Sequence, residues 1–183
     1  MAYFADMHVH TDHSDGTQRI ETVFAQAAAA GLAAVAITDH DTVDTWDEVR
    51  AAAAAHGVET LRGVELSCYD ERVHKKIHIV GLGLGADVSH VAPLCAHTLG
   101  CRDAYHRKLV GELAERGYAI SLEEVEAAAP YRYIFKMHLF AALKRKYPDE
   151  MTPARYRELF AGKTSEEVDA QMGYTPIDQG IEA

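Results

Sequence analysis

The first 85 residues alternate between short apolar runs and longer amphipathic ones. Residues 4–10 read as a strand that turns polar at its end. Residues 17–30 read as an alanine-rich helix, with Ile20, Val23, Phe24 and Ala27 on one face and Gly31 as its stop. Leu32 to Thr38 is a short apolar strand, and Thr45 to His56 a second helix with Trp46 and Val49 inward and Gly57 ending it. Thr60 to Ser67 predicts a third strand, and Lys76 to Leu84 a fourth that fades into glycines. Strand, helix, strand, helix at this spacing is the pattern of βαβ units on a parallel sheet.

Beyond residue 86 the pattern becomes helical, with no convincing strand. Residues 99–116 form an amphipathic helix ended by Gly117. Ser121 with Glu124 has capping-box spacing, and a helix from Phe135 to Lys146 stops before Pro148. Thr152 followed by Pro153 reads as an N-cap with proline at the first helical position, and Thr164 with Glu167 repeats the capping box. The chain thus divides into an α/β part, residues 1–86, and a helical subdomain, residues 87–183.

Composition narrows the class. The 183 residues are 48% hydrophobic, enough for one domain with a real core, with or without a small appended subdomain. A net charge of -10 disfavours a non-specific nucleic-acid binder, which needs a basic face, yet it permits a small phosphorylated substrate where bound cations invert the local field. No apolar run is long enough for a membrane span, and Asp6-Met7-His8-Val9-His10 falls where a signal peptide would have its apolar core. Cys68, Cys95 and Cys101 lack metal-ligand spacing, which fits a reduced, cytoplasmic protein.

The chemistry resides in where the metal-binding side chains fall. Asp6, His8 and His10 alternate along the first strand and share one face. The turn after it, His10 to Gly16, adds Asp15. The second strand ends in Thr38-Asp39-His40-Asp41, the third carries Glu65, and the fourth His78. Taken singly, each has an ordinary reading: polar alternation on a solvated face, a helix cap, an edge-strand carboxylate, a satisfied core histidine. Jointly they occupy equivalent ends of consecutive strands, the rim where β/α sites assemble. Imidazole with carboxylate suits zinc, iron or manganese, and the lack of cysteine ligands disfavours a closed structural zinc site. Among the remaining histidines, His56 suits a helix end, His90, His97 and His106 fall on helical faces expected to be solvated, and His13 and His74 lie in loops, with His13 near the site.

Asp6-Met7-His8-Val9-His10-Thr11 with Ser14-Asp15-Gly16, then Thr38-Asp39-His40-Asp41, Gly63-Val64-Glu65, and His78-Ile79-Val80-Gly81 together resemble the PHP (polymerase and histidinol phosphatase) superfamily. The resemblance covers residues 4–85 closely. The helical segment is more loosely similar to the insertion of the nucleoside-monophosphate phosphatase and exonuclease branch. It implies a distorted (β/α)7-type barrel, of which about four strands are evident, holding two or three divalent ions. His8, His10 and Glu65 would bind the first, Glu65 would bridge to a second held by His78, and Asp15 with His40 would bind a third. Glu65 would be catalytic as the bridge, and Asp39 would orient His40 or transfer a proton. Substrate phosphate would meet Lys136 and His138, where the family has an arginine two positions before a histidine, with Arg102 and Arg107 as further contacts.

The family's later ligands, a histidine before proline and an Asp-x-His motif, do not follow His78. The expectation is therefore a fragment, a barrel completed by a missing C-terminal segment or a second copy, or a degenerate module. The expected activity is hydrolysis of a phosphomonoester, a nucleotide or short oligonucleotide, by cation-activated water. The alternatives are a histidinol-phosphate-type phosphatase, an inactive metal-binding PHP module, and an unrelated metallohydrolase of C–N bonds. Ser14-Asp15-Gly16 and Thr38-Asp39-His40 do not belong to the last group.

Overall fold

The computed structural model describes residues 4–159 and 165–183. They fall into two units, Met1–Thr98 with Tyr174–Ala183, and Leu99–Gly173. In the first unit, β1 (Ala5–Val9), α1 (Ile20–Ala30), β2 (Ala34–Ile37), α2 (Trp46–His56) and β3 (Glu59–Thr60) follow in order. The strands pair in parallel in the order β1-β2-β3. Right-handed crossovers that keep stepping one way place both connecting helices on one face of the sheet. Accordingly Ile20, Phe24 and Ala27 of α1 and Val49, Ala52 and Ala53 of α2 share a core with Val35 and Ile37 of β2. Gly31 and Gly57 end the two helices in the left-handed region, at φ 75° and 65°.

The second sheet is formed by β4 (Gly63–Asp70), β5 (Lys75–Leu82) and β6 (Thr175–Pro176), in the order β5-β4-β6. Its core joins Val64, Leu66 and Cys68 of β4 to Val91 and to Cys95 of α3 (Ala92–Glu115). Ile177 of α8 (Ile177–Glu182) packs against the same cluster.

Three differences from the sequence expectation have physical causes. The third strand is divided into β3 and β4, with Leu61 and Arg62 between them. The fourth strand is antiparallel to its predecessor, because only Glu71 to His74 separate β4 from β5 and a parallel return needs a crossover of a dozen or more residues. Past residue 86 the described residues do include a strand: β6, two residues long and parallel to β4, too short to leave a periodic signal.

The second unit is helical. It contains most of α3, then α4 (Leu122–Glu126), α5 (Lys136–Lys146), α6 (Pro153–Glu158) and α7 (Ser165–Asp169). Ser121 accepts from the Glu124 backbone while the Glu124 carboxylate accepts from the Ser121 N–H, which completes the capping box. Thr152 caps α6 through the Arg155 N–H, with Pro153 at the first position. Thr164 lies outside the described residues. His106, expected on a solvated face, is instead 3% exposed. Burial, with the positive charges of Arg102 and Lys136, lowers its pKa to about 4. Among the described residues no helix is long and apolar enough to cross a membrane.

Candidate metal centre

The backbone brings the carboxylates and imidazoles of the first unit together in three ways. His8 on β1 and His10 just after it are two residues apart, with ring centroids 5.1 Å apart. Beyond β2 the chain continues as an isolated parallel bridge between His40 and Glu65, in which the Asp41 N–H donates to the Glu65 carbonyl (3.0 Å) and the Glu65 N–H to the Asp39 carbonyl (3.3 Å). On the β4–β5 ladder Glu65 lies opposite Val80 and His78 opposite Ser67, so His78 reaches Glu65 as its diagonal neighbour on the same face. His78 therefore arrives from the middle of an antiparallel strand, not from the C-terminal end of a parallel one.

Glu65 is the hub. Its Oε2 lies 3.0 Å from His8 Nε2, 2.7 Å from His10 Nε2 and 3.6 Å from His40 Nδ1, while Oε1 lies 2.5 Å from His78 Nδ1. Asp15 forms a second node, with Oδ1 2.8 Å from His10 Nδ1 and Oδ2 3.7 Å from His40 Nε2. Three overlapping groups result: His8, His10 and Glu65; His10, Asp15 and His40; His40, Glu65 and His78. In each, the candidate ligand atoms lie within 4.8 Å of one another. Glu65 and His40 are buried, whereas the His8 side chain is half exposed and faces solvent.

This donor set fits divalent cations. With metal–ligand bonds of roughly 2.0–2.2 Å, donors sharing one ion lie about 3 Å apart at right angles. His8 Nε2, His10 Nε2 and Glu65 Oε2 are separated by 3.1, 3.0 and 2.7 Å. Asp6 is in none of the three groups; its carboxylate accepts from the His8 backbone N–H.

The charges agree with the geometry. Burial opposes ionisation of Asp15, but the hydrogen bond to His10 and the nearby His40 and His10 outweigh it and hold its pKa at about 2. Burial likewise opposes ionisation of Glu65, and is overcome by His8, His40, His78 and His10. Burial would lower the His10 pKa, yet Asp15, Glu65 and Asp39 raise it. Both carboxylates are anionic at neutral pH.

Asp39 is placed differently from the ligand set. Its buried carboxylate accepts from Thr11 N–H (2.7 Å), Thr11 Oγ1 (2.5 Å) and Ser14 Oγ (2.5 Å), with no imidazole among its hydrogen-bond partners in the described residues. Thr11 and Ser14 carry no assigned role in the sequence reading. Their places in the quoted motif were the available signal, and only burial turns two hydroxyls into structural donors. His13, expected near the site, pairs with Glu48 at 3.3 Å.

The residues expected at substrate lie in the second unit. Arg102 is buried, its guanidinium 5.1 Å above the Phe135 ring. His138 Nδ1 accepts from the Phe135 N–H at the start of α5. Lys136 lies over the Tyr156 ring, and burial followed by the Arg157 charge lowers its pKa. Arg107 is held between Asp103 (2.6 Å) and Glu126 (2.5 Å).

The α/β fold gathers histidines and carboxylates into three overlapping groups, each of which could hold a metal ion. The chain belongs to the PHP domain family, whose model matches residues 6–173. It is 36% identical over 157 residues to a phosphoribosyl 1,2-cyclic phosphate 1,2-diphosphodiesterase of Eggerthella lenta, covering 85% of this chain and 60% of the relative. It is 43% identical over 79 residues to a 3',5'-nucleoside bisphosphate phosphatase of Chromobacterium violaceum, covering 43% of this chain and 27% of that protein. Among solved structures it resembles a protein of Bifidobacterium adolescentis, provisionally designated a metal-dependent phosphoesterase. The TM-score is 0.84 at 26% identity, over 99% of this chain and 63% of that one. The chain thus spans no more than about 60% of the length of these curated relatives.

Proposed function

We propose that this chain is the metal-binding part of a phosphoesterase that hydrolyses a phosphomonoester of nucleotide type, a nucleotide or short oligonucleotide. The observation that carries the reading is the sharing of Glu65 by His8, His10, His40 and His78, with Asp15 as a second node. His8, His10, Asp15, His40, Glu65 and His78 would hold two or three divalent ions, zinc, manganese or iron. Such ions supply a lowered pKa for attacking water and neutralise the phosphoryl oxygens. The chain's own contribution is to fix the donors. Glu65, anchored on both sides by backbone bonds to the residue 39–41 segment, keeps its carboxylate ionised between four imidazoles. The half-exposed His8 marks the side from which a phosphate can approach.

The nucleotide reading is supported by the names of the two relatives, each a hydrolase of phosphate carried on a ribosyl or nucleoside compound. In the helical unit, proposed as an insertion or cap, Arg102, Lys136 and His138 are the groups suited to substrate phosphate. Arg107 is already neutralised by two carboxylates. A (β/α)7-type barrel completed by further polypeptide, a C-terminal segment or a second copy, is part of the proposal. Its support is β1, an outer strand of its sheet among the described residues, and the greater length of the relatives. A reduced, cytoplasmic setting is supported by the three cysteines, an odd set without metal-ligand spacing.

The test is hydrolysis by chelator-treated protein reconstituted with manganese or zinc, assayed on a nucleoside 3',5'-bisphosphate, a 5'-mononucleotide, histidinol phosphate and an amide. Metal-dependent phosphate release, fastest from the nucleotides, is expected. Faster turnover of histidinol phosphate would reassign the substrate, and cleavage of the amide alone would reject the phosphoesterase reading.

A further inference from the structure

We propose that Asp39 is a positioning residue: a buried clamp that sets the Thr11–Gly16 turn against the Glu65 strand and so brings the two carboxylate donors, Asp15 and Glu65, into register. The clamp is read from the geometry alone; its consequence for cation binding rests on the metal-centre reading above.

Asp39 joins three donor-bearing elements. Its carboxylate takes the Thr11 N–H, the Thr11 hydroxyl and the Ser14 hydroxyl, at 2.5–2.7 Å. Its backbone carbonyl takes the Glu65 N–H at 3.3 Å, and the next residue, His40, belongs to two of the three donor groups. The turn it grips is tight: the Thr11 carbonyl accepts from both Ser14 N–H (3.1 Å) and Gly16 N–H (2.9 Å), and Thr11 Oγ1 accepts from His13 N–H at 3.3 Å. Asp15 lies within that turn, with its carboxylate on His10.

Burial makes the arrangement rigid. Thr11 and Ser14 are fully buried and Asp39 is 1% exposed, so water cannot replace any of these bonds. Three donors occupy most of the lone-pair sites of the carboxylate. A group that must accept and release a proton during turnover needs contact with the reacting atoms or a water chain. Asp39 is enclosed by hydroxyl and amide donors, which favours a structural anchor over a proton carrier. Removing such an anchor leaves two hydroxyls and an amide buried and unpaired, and the turn opens to rehydrate them.

The test uses Asp39→Ala, Asp39→Asn and the double variant Thr11→Val/Ser14→Ala, with amide hydrogen exchange and Mn2+ titration as readouts. The alanine variant should speed exchange at residues 11–16 by about tenfold or more, and weaken at least one class of Mn2+ site by about tenfold or more. The double variant should reproduce both changes although the carboxylate at 39 is intact. The asparagine variant keeps an acceptor for Thr11 N–H and Ser14 Oγ and should stay near wild type in both. If the double variant matches wild type while asparagine and alanine lose Mn2+ equally, Asp39 acts directly and the clamp is overturned. Should Asp39→Ala fail to fold, the asparagine and double variants still decide. If wild type binds no Mn2+, the metal-centre reading fails, and the exchange pattern judges the clamp separately.

Discussion

Gly16 offers a sharp test, because the three atoms nearest to a methyl group there are all backbone. A Cβ at this position would lie 2.5 Å from the His10 carbonyl oxygen, 2.7 Å from the His10 carbonyl carbon and 2.8 Å from the Thr11 carbonyl carbon. No side-chain rotation relieves such contacts. The turn must retreat by about 0.9 Å before the closest of them becomes an ordinary van der Waals contact. Gly16→Ala should therefore cost about 1–3 kcal/mol, the usual range for overpacking a close-fitting site. Each kcal/mol corresponds to roughly 2–4 °C in Tm for a chain of this size. The same retreat pulls Asp15 from His10, now 2.8 Å away, so Mn2+ affinity should fall together with Tm. Gly100 and Gly111, exposed in α3 with open space where a Cβ would stand, are matched controls. Alanine at either should stabilise by about 0.5–1 kcal/mol through reduced backbone entropy and better helix propensity. Thermal unfolding of the three variants, with Mn2+ titration of each, measures the contrast. A Gly16→Ala protein as stable as wild type, binding Mn2+ equally well, would refute the steric argument.

Three further outcomes follow from the geometry. Glu65→Gln removes the charge shared by four imidazoles and should weaken Mn2+ or Zn2+ binding by more than the roughly 10–100-fold that loss of an outer partner costs; calorimetric titration of apo protein reads this. His106 has a folded pKa near 4 against 6.5 for an ordinary histidine, so the unfolded chain takes up its proton first as pH falls. Its contribution is intact above about pH 6.5 and declines by about 3 kcal/mol towards pH 4, and His106→Gln should flatten that part of the stability–pH curve in urea unfolding. His10 has its pKa raised, so protons compete with cations at its ring above pH 6.5 as well as below. Metal affinity should climb between pH 6 and 8, and a flat profile across that range would count against His10 as a ligand.

The sequence determined the local elements and the chemical inventory, because both are written in short-range patterns. Apolar spacing and capping residues locate α1, α2, α4, α5 and α6 to within a few residues, since each helix forms around its own stripe and its own cap. The six histidines and carboxylates were visible as residue types on or just after expected strands, and the four ordered motifs were enough to suggest the family. Tertiary structure decided what those patterns leave open. The direction of β5 depends on how a four-residue turn closes, and β6 is a two-residue strand that exists only because β4 offers it an edge. Burial separates His106 from the solvated histidines it resembles in sequence, since exposure belongs to the packed molecule and not to the helix. The same holds for Asp39: its neighbour His40 invites a role at the metal, but three buried donors 25 and 28 residues earlier in the chain turn its carboxylate to the Thr11–Ser14 turn instead. Long-range contacts set where a side chain points, and a linear pattern carries no record of them.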